Sequence, residues 1–214
     1  MTYTDYLTTR IKTYDYGEPI YASSLANDLS LKYSLSKDKS LRACAVAIKR
    51  LLDNEKIKGL KTYQKGIYYL SKKTSFGDSK IDKNKIIYEK YLKDDNGYFA
   101  GADILNKIGL STQMSKDIVV VSNNCYDCLR KNKKLGVIVK PPKTKINKDN
   151  KKYLQFLDII ELIDKNYINE KNPYKLLSKY IKDNKLDYKK LFTLSKDLYN
   201  DHVSLRLMGI YCEG

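Results

Sequence analysis

One stretch, KSLRACAVAIKRLLDNEKIKGLKTYQKGIYYL (residues 39–70), limits the fold choices more than any other, because its hydrophobic period changes midway. Up to about residue 55 apolar residues recur at helical spacing. Beyond it, KIKGLKT and KGIYYLS read as two short strands joined by a tight turn near Gln64 to Gly66. Upstream, Tyr3, Tyr6, Leu7, Ile11 and Tyr14 follow a helical period that Gly17 and Pro19 interrupt. A second helix is expected with Ser23 or Ser24 as N-cap and Ala22, Leu25, Ala26 and Leu29 inward, followed by the polar turn SLSKDKS. The order helix, helix, turn, helix, hairpin predicts a winged helix-turn-helix over residues 1–73.

The two faces of the third helix carry the functional expectation. Leu41, Ala45, Ile48 and Leu52 are spaced four, three and four, and are expected to pack inward. Lys39, Arg42, Val46 and Lys49 share that spacing on the opposite face, with Arg50 at its edge. A helix fits the major groove of B-DNA, where arginine suits guanine and lysine more often meets phosphate. Ser36, Lys37 and Ser40 fall at the N-terminal end of this helix, the end that helix-turn-helix proteins bring to the bases. Lys61, Gln64 and Lys65 fall in or near the hairpin tip, where a wing touches the neighbouring groove or backbone. The competing reading is an ordinary amphipathic helix with a solvated basic face.

Residues 74–80, TSFGDSK, read as a polar linker, and a second domain is expected over residues 81–214. A helix at about 81–92 precedes GYFAGADILNKIGLSTQ, which suggests a short strand, a helix from Ala102 and a stop at Gly109. DIVVVSNN and KLGVIVKPPK read as buried strands, the latter ended by Pro141 and Pro142. Four helices are expected to follow, at 151–165, 173–184, 187–199 and 202–211. The fold class is therefore α+β and mostly helical, with a mixed α/β second domain that ends in helices.

Charge is abundant and uneven. The 214 residues hold 41 Lys and Arg against 25 Asp and Glu, a formal net charge of +16 that points to a polyanionic partner. Lysine far outnumbers arginine, and Tyr, Asn and Ile are frequent, a bias that AT-rich coding also produces. Residues 1–76 carry 14 basic and 7 acidic side chains, and residues 130–152 carry 10 and 1, whereas residues 153–214 are near balance. The second basic stretch, RKNKKLGVIVKPPKTKINKDNKK, places Arg130, Lys131, Lys133 and Lys134 before a strand and Lys140, Lys143 and Lys145 after it. It suits a phosphate backbone or an acidic protein surface, or else simply solvated loops.

Two stretches are similar to the AbiEi-type antitoxins of type IV toxin–antitoxin systems, which descend from phage abortive-infection loci. AVAIKRLLDNEKIKGLKTYQKGIYYL (45–70) looks like that family's helix and wing ending in G-[IV]-Y, matched by Gly66, Ile67 and Tyr68. GADILNKIGLSTQMSKDIVVVSNN (101–124) resembles its LGLSTQ segment and following strand, matched by Ile108, Gly109, Leu110, Ser111, Thr112 and Gln113. The closing DHVSLRLMGIY resembles the family's last helix. Met114 and Ser115 stand where the family often has proline, which bears on the local turn and not on the fold. The resemblance implies a winged helix that represses its own operon by binding operator DNA, read by Ser36 to Arg50 and by the wing Lys61 to Lys65. It also implies a C-terminal domain that counteracts a nucleotidyltransferase-like toxin. It implies no catalytic residue.

Other constellations are sparse. Cys125 and Cys128 form a C-x-x-C, but structural zinc needs four ligands, and Cys44, Cys212 and the sole histidine His202 lie far off in sequence. No phosphate-loop or dinucleotide glycine pattern is present. Asp78-Ser79-Lys80 and Asp183-Asn184-Lys185 are nuclease-like D-x-K fragments that so lysine-rich a chain produces by chance. No enzyme chemistry, cofactor or metal is expected. No stretch approaches the roughly 20 apolar residues of a membrane span, no secretory h-region opens the chain, and the scattered cysteines suit a reducing cytoplasm. Pairing of operator half-sites makes a homodimer an expectation. The alternatives are a regulator whose C-terminal domain senses a ligand or oligomerises, and a metal-dependent nuclease.

Overall fold

The computed structural model describes residues 2–163, 166 and 168–213. The chain is α+β, 50% helical and 15% strand, and divides into two units at Ile86/Ile87.

The first unit opens with α1 (Tyr3–Ile11). Thr2 caps it in a reciprocal box: the Asp5 amide donates to Thr2 Oγ1, and the Thr2 amide donates to the Asp5 carboxylate, both at 3.2 Å. A short strand β1 (Ile20–Tyr21) leads into α2 (Ala22–Tyr33). That helix starts ahead of Ser23 and Ser24: Tyr21 is its N-cap, and no side-chain hydrogen bond caps the helix. Ser34, in the left-handed region, ends it, and α3 (Lys37–Asp53) follows at once. Strands β2 (Leu60–Gln64) and β3 (Ile67–Leu70) then form a hairpin, and β1 adds to β3, giving the antiparallel order β1-β3-β2. Gln64 pairs with Ile67, so Lys65 and Gly66 alone make the turn, with Gly66 at a φ of 80°. Leu7, Ile11, Ile20, Leu25, Leu29, Ile48, Leu51 and Leu70 form the core between the helices and this sheet.

The inward face of α3 corrects the expectation. Ser40, Cys44, Ala47, Ile48 and Leu51 are buried, whereas Leu41 is 41% exposed and Ala45 is also exposed. Leu52 is only partly buried. The helix is rotated by about one residue, roughly 100°. The small residues Ser40, Cys44 and Ala47 face inward beside Ile48 and Leu51, and the Cys44 thiol donates to the Ala22 carbonyl of α2 at 3.5 Å. Residues 74–80, expected as a linker, form a second hairpin of β4 (Lys73–Thr74) and β5 (Gly77–Asp78) instead. Ser79 and Asp82 hold it to the first unit, their amides donating to the carbonyls of Lys72 and Gly17.

The short helix α4 (Lys83–Ile87) runs across the division into a π-helical turn, Tyr88–Leu92, where one continuous helix was expected. The second unit is built on a four-stranded sheet: β6 (Gly97–Ala100), β7 (Ile118–Ser122), β8 (Arg130–Asn132) and β9 (Val137–Lys140). Its order is β6-β7-β9-β8, with β7 and β9 parallel and the other pairs antiparallel. Gly97 admits no side chain, since a Cβ there would stand 2.4 Å from the Val121 carbonyl oxygen. Helix α5 (Ala102–Lys107) follows β6, and α6 (Lys151–Ile163), α7 (Pro173–Asp183), α8 (Tyr188–Leu198) and α9 (Asp201–Glu213) close the chain. Two residues of the helix expected at 151–165, Asp164 and Lys165, lie outside the described residues. Phe156, Leu157, Ile160, Leu177, Leu191 and Leu207 centre the helical core. Among the described residues no helix is long and apolar enough to cross a membrane.

One polar knot sits in this unit. The carboxylate of Asp158 on α6 accepts hydrogen bonds from Tyr98 on β6 at 2.7 Å and from Tyr199, which follows α8, at 2.6 Å. Burial raises the Asp158 carboxyl above the ordinary carboxylate range, against the two hydroxyl hydrogen bonds, which pull it down.

Candidate nucleic-acid interface

The outer face of α3 is solvent-facing. Lys39, Arg42, Val46, Lys49 and Arg50 are all exposed, and among the described residues none of the four cations is in an ion pair. Arg42, Val46 and Arg50 line a shallow groove of about 340 Å³ whose other side is Thr2 to Thr4 at the start of α1. Two guanidiniums eight residues apart on one helix therefore flank a small apolar contact. Guanidinium pairs with phosphate oxygens or a guanine edge through paired N–H donors, and a valine methyl suits a thymine methyl.

The N-terminal end of α3 is partly as expected. Ser36 is the N-cap and Lys37 the first helical residue, both exposed, and the Ser36 side chain makes no capping hydrogen bond. Asp38 in the same turn is acidic and opposes an approaching phosphate. Ser40 is a correction. It is 1% exposed and its hydroxyl donates to the Lys37 carbonyl at 2.9 Å, so it faces the core and cannot reach a ligand.

The hairpin contributes less than its sequence suggested. Lys65 is exposed at the turn and Gln64 beside it is half-buried. Lys61 is not at the tip. It pairs with Tyr69 along the strand, and its ammonium is bound to Asp78 of the second hairpin. This partner was invisible in sequence, since residues 74–80 read as linker. Both members are close to half-exposed, so the pair adds little stability, but it withdraws one cation from the hairpin.

In the second unit the basic stretch does not act as one patch. Arg130, Lys131 and Lys133 line a cleft of about 570 Å³ together with Lys90 and Asn124. Lys143 is elsewhere, paired with Glu161 at 3.3 Å and lying 4.0 Å from the centre of the Tyr199 ring. Lys140 lies along β9 and is half-buried, Lys145 is exposed in the loop before α6, and Lys134 follows Lys133 outside the cleft lining. Cys125 is buried, with its thiol donating to the Cys128 carbonyl at 2.9 Å, while Cys128 is exposed. Among the described residues no group of three or more His, Cys, Asp or Glu side chains is placed to hold a metal ion.

Comparison of the chain with protein-family models, with curated proteins and with solved structures returned no match.

Proposed function

We propose that this protein is a DNA-binding regulator, and that its first unit is a winged helix-turn-helix that lays α3 in the major groove. The observation that carries the reading is the element order α1-β1-α2-α3-β2-β3 with a β1-β3-β2 sheet, combined with the exposed cationic face Lys39, Arg42, Lys49 and Arg50. In that topology α2 and α3 form the helix-turn-helix, the β2–β3 hairpin is the wing, and Lys65 is its leading cation. Arg42, in the N-terminal half of α3 and beside Val46, is assigned to a base edge. Lys37, Lys49, Arg50 and Lys65 are assigned to phosphates.

Within this reading the protein is an antitoxin of the AbiEi type that represses its own operon, while the second unit counteracts a nucleotidyltransferase-like toxin. The support is the resemblance of residues 45–70 and 101–124. The second stretch forms α5, the turn after it and β7, which connect the sheet to the helical core. Neutralisation is tested by co-expression with the neighbouring nucleotidyltransferase gene. Growth rescued by the full chain supports the reading. A neighbouring locus with no such gene, or toxicity undiminished, leaves a DNA-binding regulator of another kind. A ligand-sensing second unit is the alternative, and the cleft at Arg130 favours it over a purely oligomerising one.

A further inference from the structure

The cleft in the second unit has a composition that identifies a ligand class. Its floor is Tyr91 and Val139, both buried, and its walls are Lys90 from the π-helical turn and Arg130, Lys131 and Lys133 from β8 and the turn after it. Asn124 also lines the cleft and is fixed to the first wall, its side-chain amide donating to the Lys90 carbonyl at 2.7 Å. Among the described residues that line it, none is acidic. Lys131 is bound to Asp117, but among the described residues Lys90, Arg130 and Lys133 have no carboxylate partner, and the Lys90 ammonium lies 5.1 Å from the centre of the Tyr91 ring.

Three uncompensated cations converging on one concavity repel one another, and an anion relieves that repulsion. The volume is that of a small-molecule or oligomer site rather than of a groove for a duplex. The segments that build the walls also expose large side chains: Tyr88 is 54% exposed, two residues before Lys90, and Tyr126 is 77% exposed, between Asn124 and Arg130. A positive cleft whose wall-building segments also carry exposed rings offers the two features on which single strands bind, cations for phosphates and rings for bases. An acidic peptide would use the cations and leave the two rings idle.

We propose that this cleft, built by Lys90, Asn124, Arg130 and Lys133, binds single-stranded nucleic acid. The site lies in the second unit and does not depend on α3 binding DNA.

The test uses the full chain and a fluorescein-labelled oligouridine roughly 12 nucleotides long, within the site size of single-strand binders. Anisotropy is followed between about 50 and 200 mM salt. Saturable binding is expected. Combined K90A, R130A and K133A should weaken it about tenfold or more and lower the log–log salt slope by about 2, the value for three lost phosphate contacts on a single strand. Y126A should weaken it by the loss of one stacked base, while R42A with K49A should leave it unchanged. In the unsubstituted chain, 4-thiouridine at the centre of the strand should crosslink within residues 88–91 or 124–133. Failure of the unsubstituted chain to bind overturns the proposal, as does a loss that follows the α3 substitutions instead of the cleft ones. So does uridine monophosphate competing as well as the oligomer, which would mark a single-phosphate site. Polyglutamate bound more tightly than the oligomer at equal salt would replace nucleic acid with an acidic protein surface.

Discussion

Replacement of Asp158 separates burial from hydrogen bonding at the centre of the second unit. Asp158→Ala removes the acceptor for two tyrosyl hydroxyls, Tyr98 at 2.7 Å and Tyr199 at 2.6 Å. Hydrogen bonds to a charged acceptor contribute about 1.5–3 kcal/mol each, and an unsatisfied buried hydroxyl costs about 1–3 kcal/mol. Removal of a buried carboxylate returns part of that through relieved desolvation, so a net loss of about 3 kcal/mol is expected, a large share of a domain's roughly 5–15 kcal/mol. Asp158→Asn keeps one acceptor oxygen and offers an N–H to the other tyrosyl oxygen, so it should stay within about 1 kcal/mol at pH 7. The pH dependence gives a sharper result. The native Asp158 carboxyl is raised by burial above its unfolded value of about 3.9, so the folded chain holds that proton more tightly. Its contribution to stability is complete below the unfolded value and is lost as pH rises through the native one. The amide of the Asp158→Asn variant cannot titrate. Urea unfolding of both chains from pH 4 to pH 7 should therefore show the variant gaining on the parent as pH rises. A parent that gains on the variant over that range would mean that the hydroxyl hydrogen bonds outweigh burial, and would refute the reasoning.

The face assignment of α3 predicts contrasting costs: Ile48→Ala, at 1% exposure, should destabilise the first unit by about 2–5 kcal/mol, and Leu41→Ala should cost well under 1 kcal/mol, both read by urea midpoint. Equal costs would restore the rotation expected from sequence. Burial pushes the Cys44 thiol up to about 11, so it should resist alkylation at pH 8 until the chain unfolds, while exposed Cys128 and Cys212 react promptly, as mass spectrometry of partly labelled protein will show. If the α3 assignments hold, Arg42→Ala should weaken binding to cognate DNA by about 1–3 kcal/mol more than to unrelated DNA, and Lys49→Ala should weaken both alike in a competition titration.

Much of the fold was legible because hydrophobic period survives local detail. The helices of both units and the strands β2, β3, β7 and β9 lie within a few residues of where spacing puts them. What escaped has physical causes. The buried stripe of α3 holds Ser40, Cys44 and Ala47 beside Ile48 and Leu51, small or weakly apolar residues that a spacing built on leucine passes over, so the expected face lies about one residue away. Strand β8, Arg-Lys-Asn, has no apolar face and sits at the sheet edge, where charge guards against mispairing and hides the strand from pattern. The β4–β5 hairpin looks like a linker because it has no buried apolar face: its strands are exposed, and backbone pairs and polar side-chain bonds hold it. At the sites, the exposed row Lys39, Arg42, Val46 and Lys49 was readable from spacing alone. The commitment of Lys61 to Asp78, the sorting of Arg130 and Lys133 from Lys143, and the arrival of Lys90 from about 40 residues away depend on tertiary contacts that have no local signature.

Binding of the full chain to its own upstream DNA, against a scrambled duplex of equal length and over a salt series, tests the central claim most directly. A protein that reads sequence through α3 should prefer its own DNA by about a thousandfold or more at physiological salt, with a moderate salt slope. Equal affinity for both duplexes, collapsing steeply as salt rises, would contradict that claim and leave the outer face of α3 as a solvated cationic surface.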